Sequence, residues 1–406
     1  MPHRLDLRSL LERAEAAAPI GAVDAMAVAM AEALDARSVS FLIADFSGRS
    51  LNRLGHTKGH PSLETGQRVP LDGSPYGEAL ARQRSLLLEE GDDMRMLVPV
   101  TSRGEAVGVL ELILPFAPDP VTIDDVELAA HQLAYVVIAN RRYTDLFEWG
   151  QRTVPLSLAA EIQRRLLPAS FTCEADQFTL AAWLEPAGQV AGDTFDFSLD
   201  RNTLHVSITD AMGHSVESAL LATLAVSALR NARRGGAAVV EQAQDAHQAL
   251  IAYATRGGFV TGQLVRIDLL EETARIVNAG HPRPFRLRDG VVEQVPLTAD
   301  PPFGALAGTT WREQALPLQA GDRLLLLTDG MLERNAAGLD VPALLRASAH
   351  LHPREAIQQL TYAVLDAVGG ELADDATALC LDWHGGAQGD RVTHAGAEHR
   401  TQRAMT

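Results

Sequence analysis

Hydrophobic residues recur at two different periods along this chain, and the change of period divides it. Residues 4–36 carry apolar side chains three or four positions apart, which is typical of two helices. Strand-like runs follow at Ser38–Ala44, Met94–Val100 and Ala106–Leu114. The polar stretch Gly48–Gly77 contains glycine and proline and is predicted to be a variable loop. Together these elements predict a compact α+β domain over residues 1–121.

A long apolar stripe follows this domain. Its members recur every three or four residues and are Val126, Ala130, Leu133, Val137, Asn140, Tyr143 and Phe147. After Gly150, a short helix is predicted between Pro155 and Pro168, with Leu158, Ile162 and Leu166 as its apolar face. The long stripe predicts either a parallel dimer seam or packing onto its own domain, and the pattern alone leaves both open. We assign residues 122–168 to signalling or linker helices.

Strand-like runs dominate the second half of the chain. They are Phe178–Leu184, Thr203–Thr209, Phe259–Ile267, Ala274–Asn278, Pro284–Arg288, Val291–Val295, Trp311–Leu316, Arg323–Thr328 and Ala376–Trp383. Helices are inserted as pairs, at Val216–Arg234 with Val239–Thr255 and at Val341–His350 with Pro353–Val368. This order predicts an antiparallel sandwich flanked by helices over residues 169–385. Residues 386–406 lack apolar periodicity and are predicted to be a disordered tail.

The amino-acid composition excludes several kinds of partner and catalytic site. The chain has 406 residues, and 35 basic against 52 acidic residues give a net charge of −17, which opposes nucleic-acid or anionic-membrane partners. Lys58 is the only lysine, so no phosphate-binding loop or kinase lysine is present. Two cysteines, Cys173 and Cys380, exclude a disulfide framework and a cysteine-based zinc site. With no long apolar segment and no secretory leader, we predict a cytoplasmic protein.

Acidic residues stand where strands begin or end. Asp193 and Asp196 precede a strand, Asp210 and Asp329 each end one in a Thr-Asp-small sequence, and Asp374 with Asp375 opens the last strand. Any one of these alone is most often a turn residue. Carboxylates that converge on one sheet edge repel each other unless protons or cations neutralise them. Hard divalent ions, Mg²⁺ or Mn²⁺, suit such an all-oxygen site, and two of them could activate a water for attack on phosphorus.

The motifs that carry these residues resemble a known family. GDTFD, DAMGH, NAGHP, LLLLTDG and DDATAL occur in the order found in the stage II sporulation protein E-type phosphatases, which are metal-dependent phosphatases of the 2C superfamily. The resemblance covers about Phe171–Trp383 and implies an α-β-β-α sandwich with two Mn²⁺ or Mg²⁺ ions at one end. It implies a catalytic and metal-binding role for Asp193, Asp210, Asp329 and Asp374, with the carbonyl of Ala211 as a further ligand. Asp375 could exchange roles with Asp374.

Several residues depart from the family pattern or leave their role open. Ala191, Ala211 and Ser215 stand where glycine is common in the family, and all three are small. His214 and His281 are either proton donors to the leaving oxygen or hydrogen-bonded turn residues. We favour the turn interpretation, because neither histidine has an evident orienting partner in the sequence.

The first 150 residues resemble a GAF sensor domain in the succession of VPLDGSPYGEAL, LVPVTSRGEAVGVLELILP and a long closing helix. The resemblance implies a small-molecule or protein ligand, or dimerisation alone, without naming ligand-binding residues.

The resemblances together predict a serine/threonine phosphatase that is controlled by its amino-terminal domain and dimerises through the linker helices. By family, its substrate would be a phosphorylated STAS-type anti-sigma antagonist. The competing class is a non-catalytic scaffold, or pseudophosphatase, that binds the same kind of partner. A carboxylate-metal nuclease is a weaker third hypothesis, which the acidic charge disfavours.

Overall fold

The computed structural model describes residues 4–56, 66–152, 156–187, 192–213, 215–253, 257–332, 339–369, 372 and 374–386. Their contacts form two compact units that divide between residues 155 and 156. No helix in these ranges is long and apolar enough to cross a membrane.

The first unit is built on one antiparallel sheet with helices on both faces. Its helices are α1 (Leu7–Ala16), α2 (Ala22–Leu34), α3 (Pro75–Arg82), α4 (Pro120–Asn140) and α5 (Leu146–Gln151). Its strands are β1 (Ser38–Ala44), β2 (Ser50–His56), β3 (Arg68–Pro70), β4 (Leu86–Glu90), β5 (Asp93–Ser102) and β6 (Glu105–Leu114), in the sheet order β3-β2-β1-β6-β5-β4. One face packs against α1, α2, α4 and α5, and the other against α3. The predicted α+β class is confirmed, whereas the GAF identity stays a prediction.

Most of the stripe predicted on the long helix packs onto its own domain, which is one of the two alternatives, whereas its member Tyr143 is exposed. Val126, Ala130, Leu133 and Val137 are buried in the core with Phe147 of α5. The helix is not continuous, because α4 ends at Asn140 and α5 starts at Leu146. Residues 122–168 are thus divided, with α4 and α5 in the first unit and the next helix in the second. Their signalling role stays a prediction.

The stretch predicted as a loop, Gly48–Gly77, instead contains β2, β3 and the start of α3. The sequence of β2, SLNRLGH, does not alternate regularly between apolar and polar residues, so it was not recognised as a strand. The exception is Arg53, a buried charged residue on the face that packs against α3. Its guanidinium lies 2.7 Å from the buried carboxylate of Glu111 on β6. Alternation of apolar and polar residues therefore fails as a signal where an internal ion pair replaces apolar contacts.

The second unit contains two antiparallel sheets. Its helices are α6 (Leu158–Leu166), α7 (Val216–Arg234), α8 (Val239–Tyr253), α9 (Val341–Ala347) and α10 (Pro353–Ala367). Its strands are β7 (Thr172–Glu174), β8 (Phe178–Glu185), β9 (Asp193–Leu199), β10 (Thr203–Ala211), β11 (Val260–Asp268), β12 (Thr273–Ala279), β13 (Phe285–Arg288), β14 (Val291–Gln294), β15 (Gln314–Ala315), β16 (Arg323–Leu327) and β17 (Ala376–Trp383). The predicted strand Trp311–Leu316 is therefore reduced to the two residues of β15.

The two sheets stack face to face in this unit. One has the order β15-β12-β11-β10-β9 and the other β14-β13-β16-β17-β8-β7. Apolar residues from both, such as Ile208 and Leu379, form a shared core between them. The helices α7 and α8 cover the outside of the first sheet, and α9 and α10 cover the second. The predicted α-β-β-α sandwich is confirmed.

Candidate active site

The antiparallel register places the first two aspartates side by side. Asp193 begins β9, Asp210 lies near the end of β10, and the two residues are directly paired across the strands. The start of one strand and the end of its antiparallel neighbour lie at the same end of a sheet. Asp193 is buried and Asp210 is half-buried.

The second sheet contributes its aspartates in the same way. Asp329 follows β16, while Asp374 and Asp375 precede β17, and these two strands are antiparallel neighbours. Gly330 is needed here because a Cβ atom at this position would lie 2.0 Å from the carbonyl oxygen of Asp375. This close approach brings the two strand ends together. The side chains of Asp329 and Asp374 are exposed, and that of Asp375 is buried.

Electrostatic coupling joins these residues across the two sheets. Burial raises the pKa of Asp210 to about 7, with further contributions from Asp329, Asp374 and Asp375. Burial also raises the pKa of Asp193 well above its usual range, and Asp210 and Asp375 add to the effect. Five of the six aspartates that the sequence placed at strand ends are thus electrostatically coupled to one another. We call Asp193, Asp210, Asp329, Asp374 and Asp375 the acidic cluster.

Asp375 differs from its neighbour Asp374 because its carboxylate is used internally. It accepts hydrogen bonds from the backbone N–H of Ala187 at 2.9 Å and of Gly192 at 3.2 Å. The side-chain amide of Gln163 on α6 donates to it at 2.6 Å and also donates to the carbonyl oxygen of Asp193 at 2.8 Å. Burial raises the pKa of Asp375, and these three donors oppose the rise. Asp375 therefore fixes the chain on both sides of residues 188–191.

Threonine hydroxyls form hydrogen bonds at the strand ends that carry the acidic cluster. The hydroxyl of Thr328 donates to the carboxylate of Asp193 at 2.7 Å and accepts from the backbone N–H of Thr377 at 2.9 Å. Thr209, which precedes Asp210, shares a 2.5 Å hydrogen bond with Thr194. Both Thr-Asp sequences thus use the threonine to fix the strand end on which the aspartate stands.

Asp196 lies outside the acidic cluster, although it belongs to the same sequence motif as Asp193. Its carboxylate pairs with Arg230 at 2.9 Å and Arg233 at 2.9 Å, both on α7. Arg230 also donates to the carbonyl oxygen of Leu166 at the end of α6. Asp196 is a structural residue that joins β9 to two helices.

The contacts of His281 are those of a residue that stabilises its turn. It is buried, its Nδ1 lies 2.9 Å from the hydroxyl of Thr261, and its backbone N–H donates to Asn278. Burial lowers the pKa of His281 to about 3, so the imidazole is neutral near pH 7. This environment favours the turn interpretation over that of a protonated donor. His214 lies outside the described residues.

Small residues surround the acidic cluster. A Cβ atom on Gly192 would lie 2.7 Å from the carbonyl oxygen of Ala211, so this carbonyl lies against the chain that leads into Asp193. Ser215 caps α7, with its hydroxyl accepting from the N–H of Glu217 and its own N–H donating to Ser218. Ser215, which stands where glycine is common in the family, therefore acts as the N-terminal cap of α7. Ala191 lies outside the described residues.

The donor chemistry of the acidic cluster fits divalent cations. The five carboxylates supply hard oxygen donors, and three of them, those of Asp193, Asp210 and Asp375, have pKa values raised by burial and by neighbouring carboxylates. Within the described ranges, however, no three acidic, histidine or cysteine side chains lie close enough to hold one ion together. Asp329 and Asp374 are exposed, so their side chains can change rotamer without disturbing the core.

The described part of the second unit thus has two stacked antiparallel sheets between helix pairs, with five aspartates at one end. Residues 200–384, which lie in the second unit, match the family described as Stage II sporulation protein E (SpoIIE). A phosphoserine phosphatase of Bacillus subtilis (strain 168), RsbP, is 26% identical over 188 residues, which are 45% of this chain and 46% of RsbP. The chain thus matches about half the length of that relative.

Two solved structures are similar to the chain. A fragment of SpoIIE from Bacillus subtilis, with its phosphatase domain and part of its regulatory domain, is 16% identical and aligns over 76% of this chain and 86% of its own, with a TM-score of 0.46. The RsbU and RsbW domains of Rv1364c from Mycobacterium tuberculosis are 24% identical and align over 52% and 63% respectively, with a TM-score of 0.46.

Sequence reasoning missed the residues that position the carboxylates. It placed Leu158, Ile162 and Leu166 on the apolar face of α6. Leu166 is buried and Ile162 is partly buried as predicted, but Leu158 is exposed and the buried face also contains Ala159, Ala160 and Gln163. The available signal was Gln163, which lies three residues from a buried neighbour on either side. A buried side-chain amide needs specific hydrogen-bond partners, so its position indicated a structural role.

Gln163→Ala is expected to lower the activity proposed below by about 10-fold or more, because outer-shell partners of ligating carboxylates have effects of this size. Gln177→Ala is the matched control. Gln177 is also buried and donates to two carbonyl groups, but it lies at the opposite end of β8 from the acidic cluster. Steady-state phosphate release should fall in the first variant only. Equal losses in both would mean that Gln163 acts through stability alone.

Proposed function

We propose that this chain is a metal-dependent serine/threonine protein phosphatase. The observation that supports the proposal best is the convergence of the five aspartates at one end of the two stacked sheets. The match to the SpoIIE family and the phosphoserine phosphatase among its relatives support the same reaction. Phosphatases of this class use divalent cations such as Mn²⁺ or Mg²⁺.

Asp193, Asp210, Asp329 and Asp374 would hold two cations, with the carbonyl oxygen of Ala211 as a further ligand. When bound, such cations stabilise charge on phosphoryl oxygens and lower the pKa of an attacking water. Asp375 is a positioning residue, because its carboxylate is occupied by Ala187, Gly192 and Gln163. Thr328 orients the Asp193 carboxylate through its hydroxyl. A neutral His281 holds its turn and does not supply the proton to the leaving oxygen.

The direct test is phosphate release from a phosphoserine protein with Mn²⁺ or Mg²⁺, followed with and without EDTA. Phosphocasein is a suitable probe because it needs no knowledge of the natural substrate. Release that depends on the cation supports the proposal. No turnover with either metal would favour the alternative, a pseudophosphatase scaffold that binds the same class of partner.

Cation binding should stabilise the protein in a pH-dependent way. The raised carboxyl pKa values mean that the cation-free fold is most stable with these groups protonated. Their contribution is lost as the pH rises from about 4 through the folded-state pKa of Asp210, about 7. We expect Mn²⁺ to raise the melting temperature by about 5 °C or more at pH 8 and by less than about 2 °C at pH 5, where protons compete for the ligands.

Thermal unfolding by circular dichroism, with and without Mn²⁺ at the two pH values, measures this effect. Asp200→Asn, an exposed acidic residue after β9, is the control and should behave like the wild type. A stabilisation that is equal at both pH values would contradict a site made of the acidic cluster.

We propose a substrate in sigma factor regulation, a phosphorylated STAS-type anti-sigma antagonist, and a cytoplasmic location. The family resemblance supports this substrate class. The GAF-like first unit would bind a small molecule or a protein and regulate the phosphatase. Phosphate release from purified phosphorylated STAS proteins, compared with phosphocasein, tests the substrate class separately from the reaction.

We also propose that the chain forms a homodimer through the first unit. The stripe that we predicted as its seam is occupied by the core, so the dimer needs another surface. The exposed apolar residues of α4 supply one.

A further inference from the structure

An apolar stripe remains exposed on α4, opposite the face that packs into the core. Val121, Leu128, Tyr135 and Ile138 are 43%, 51%, 49% and 43% exposed. Residues between them, such as Val126 and Val137, are fully buried. The helix therefore has one apolar face in the core and a second one at the surface. Four large apolar side chains on one exposed face of a helix make that face a candidate interaction site.

The exposed stripe repeats every seven residues. Val121, Leu128 and Tyr135 lie seven apart, and Arg142 continues the series just after the helix ends. Asp124, His131 and Ile138 form a second series with the same spacing. Within α4 these are the a and d positions of a heptad, the pattern of a seam between two helices, and Arg142 lies in the turn that follows the helix. We call these seven residues the outer seam.

The charges at the two ends of the outer seam favour one orientation of the two paired α4 helices. Asp124 and Arg142 stand at its two ends, and both are exposed. In a parallel pair each would face its own copy, so like charges would meet. In an antiparallel pair a positions face d positions. Asp124 then faces the partner's Arg142, and Leu128 faces the partner's Ile138.

We propose that the outer seam binds a second copy of this chain, with the two α4 helices antiparallel. The partner is the same surface, as a two-fold interface requires. Tyr135 then lies over the partner's His131 at the centre, where the two rings already meet edge-on within each helix at 5.1 Å. This inference deepens the proposed homodimer and is independent of the acidic cluster.

Charge exchange tests the orientation. Sedimentation equilibrium of the full chain should give a dimer whose dissociation constant rises by about 10-fold or more in Asp124→Arg and in Arg142→Asp, because each change makes two like-charge contacts. The double variant Asp124→Arg/Arg142→Asp should restore the wild-type value within about 3-fold. A parallel pair predicts no change in any of the three, which would overturn the antiparallel arrangement.

Disulfide trapping provides a second readout in a Cys173→Ser background, where Cys380 is buried. Leu128→Cys/Ile138→Cys should form covalent dimers on oxidation, and Leu128→Cys alone should not. Leu128→Glu should give monomers, whereas Leu270→Glu, at an exposed leucine of the second unit, should not. A monomeric wild type overturns the outer seam as an interface. Cation-dependent phosphate release, measured on the same samples, would then still stand, and an inactive dimer would overturn only the phosphatase.

Discussion

Asp210→Asn is expected to reduce cation-dependent phosphate release by about 100-fold or more while the protein stays folded. Asp210 is the residue on which Asp329, Asp374 and Asp375 all act, so it lies at the electrostatic centre of the acidic cluster. Losing an outer-shell partner of a metal ligand typically costs 10–100-fold, and the loss of a ligand should cost at least as much. The measurement is kcat/KM for phosphocasein at saturating Mn²⁺.

The same substitution should raise the stability of the cation-free protein. Amide replaces a carboxylate whose charged form is disfavoured by burial and by three like charges, so the repulsion disappears. A higher melting temperature together with lost activity separates a functional role from misfolding. Asp200→Asn again serves as the control for both measurements. Wild-type turnover in Asp210→Asn would make the two-cation assignment wrong.

Arg323→Met is expected to lower the free energy of unfolding of the second unit by about 3–5 kcal/mol, because it removes the positive charge that neutralises a buried carboxylate. Arg323 and Asp382 are both buried, on adjacent strands of the second sheet. The guanidinium binds both carboxylate oxygens, at 2.7 and 2.9 Å. It also donates to the carbonyl oxygens of Ser348 and Leu351, at 2.8 and 2.6 Å, in the chain between α9 and α10.

Urea titration followed by tryptophan fluorescence measures this loss. The double variant Arg323→Met/Asp382→Leu should recover most of it, since an apolar pair does not leave a lone charge in the core. Arg275→Met is the matched control. Its ion pair with Glu313 is largely exposed, so the expected cost is under about 1 kcal/mol. Equal losses in Arg323→Met and Arg275→Met would contradict a special role for the buried pair.

The layers of the second unit were predictable because the apolar and polar pattern of each strand indicates which of its faces are buried. The run at Arg323–Thr328 is almost wholly apolar and lies between the other sheet and a helix layer, so its burial on both faces can be read from the sequence. Around β2 the same rule failed, since Arg53 takes a position where the rule expects an apolar residue. Its partner, Glu111, is 58 positions away in the sequence, and only the folded sheet brings the two together.

The acidic cluster was predictable for a related reason. Asp193, Asp210 and Asp329 each stand next to a strand end, and antiparallel pairing brings such ends together. The side chains that hold the carboxylates were not predictable in this way. Gln163 contacts Asp375, 212 residues away, from a helix whose buried face was identified only in part. The distinction between Asp374 and Asp375 also needed the fold, because it depends on the backbone donors at Ala187 and Gly192.

The two faces of α4 have different evolutionary consequences. Changes at Val126 or Val137 affect whether the first unit persists as a folded body. Leu128 and Tyr135 are about half exposed, so changes there would spare the core and, if the outer seam is an interface, would alter dimerisation. On that proposal, homologous proteins could lose or change their dimer partner through a few surface mutations, while selection for stability acts on other positions of the same helix.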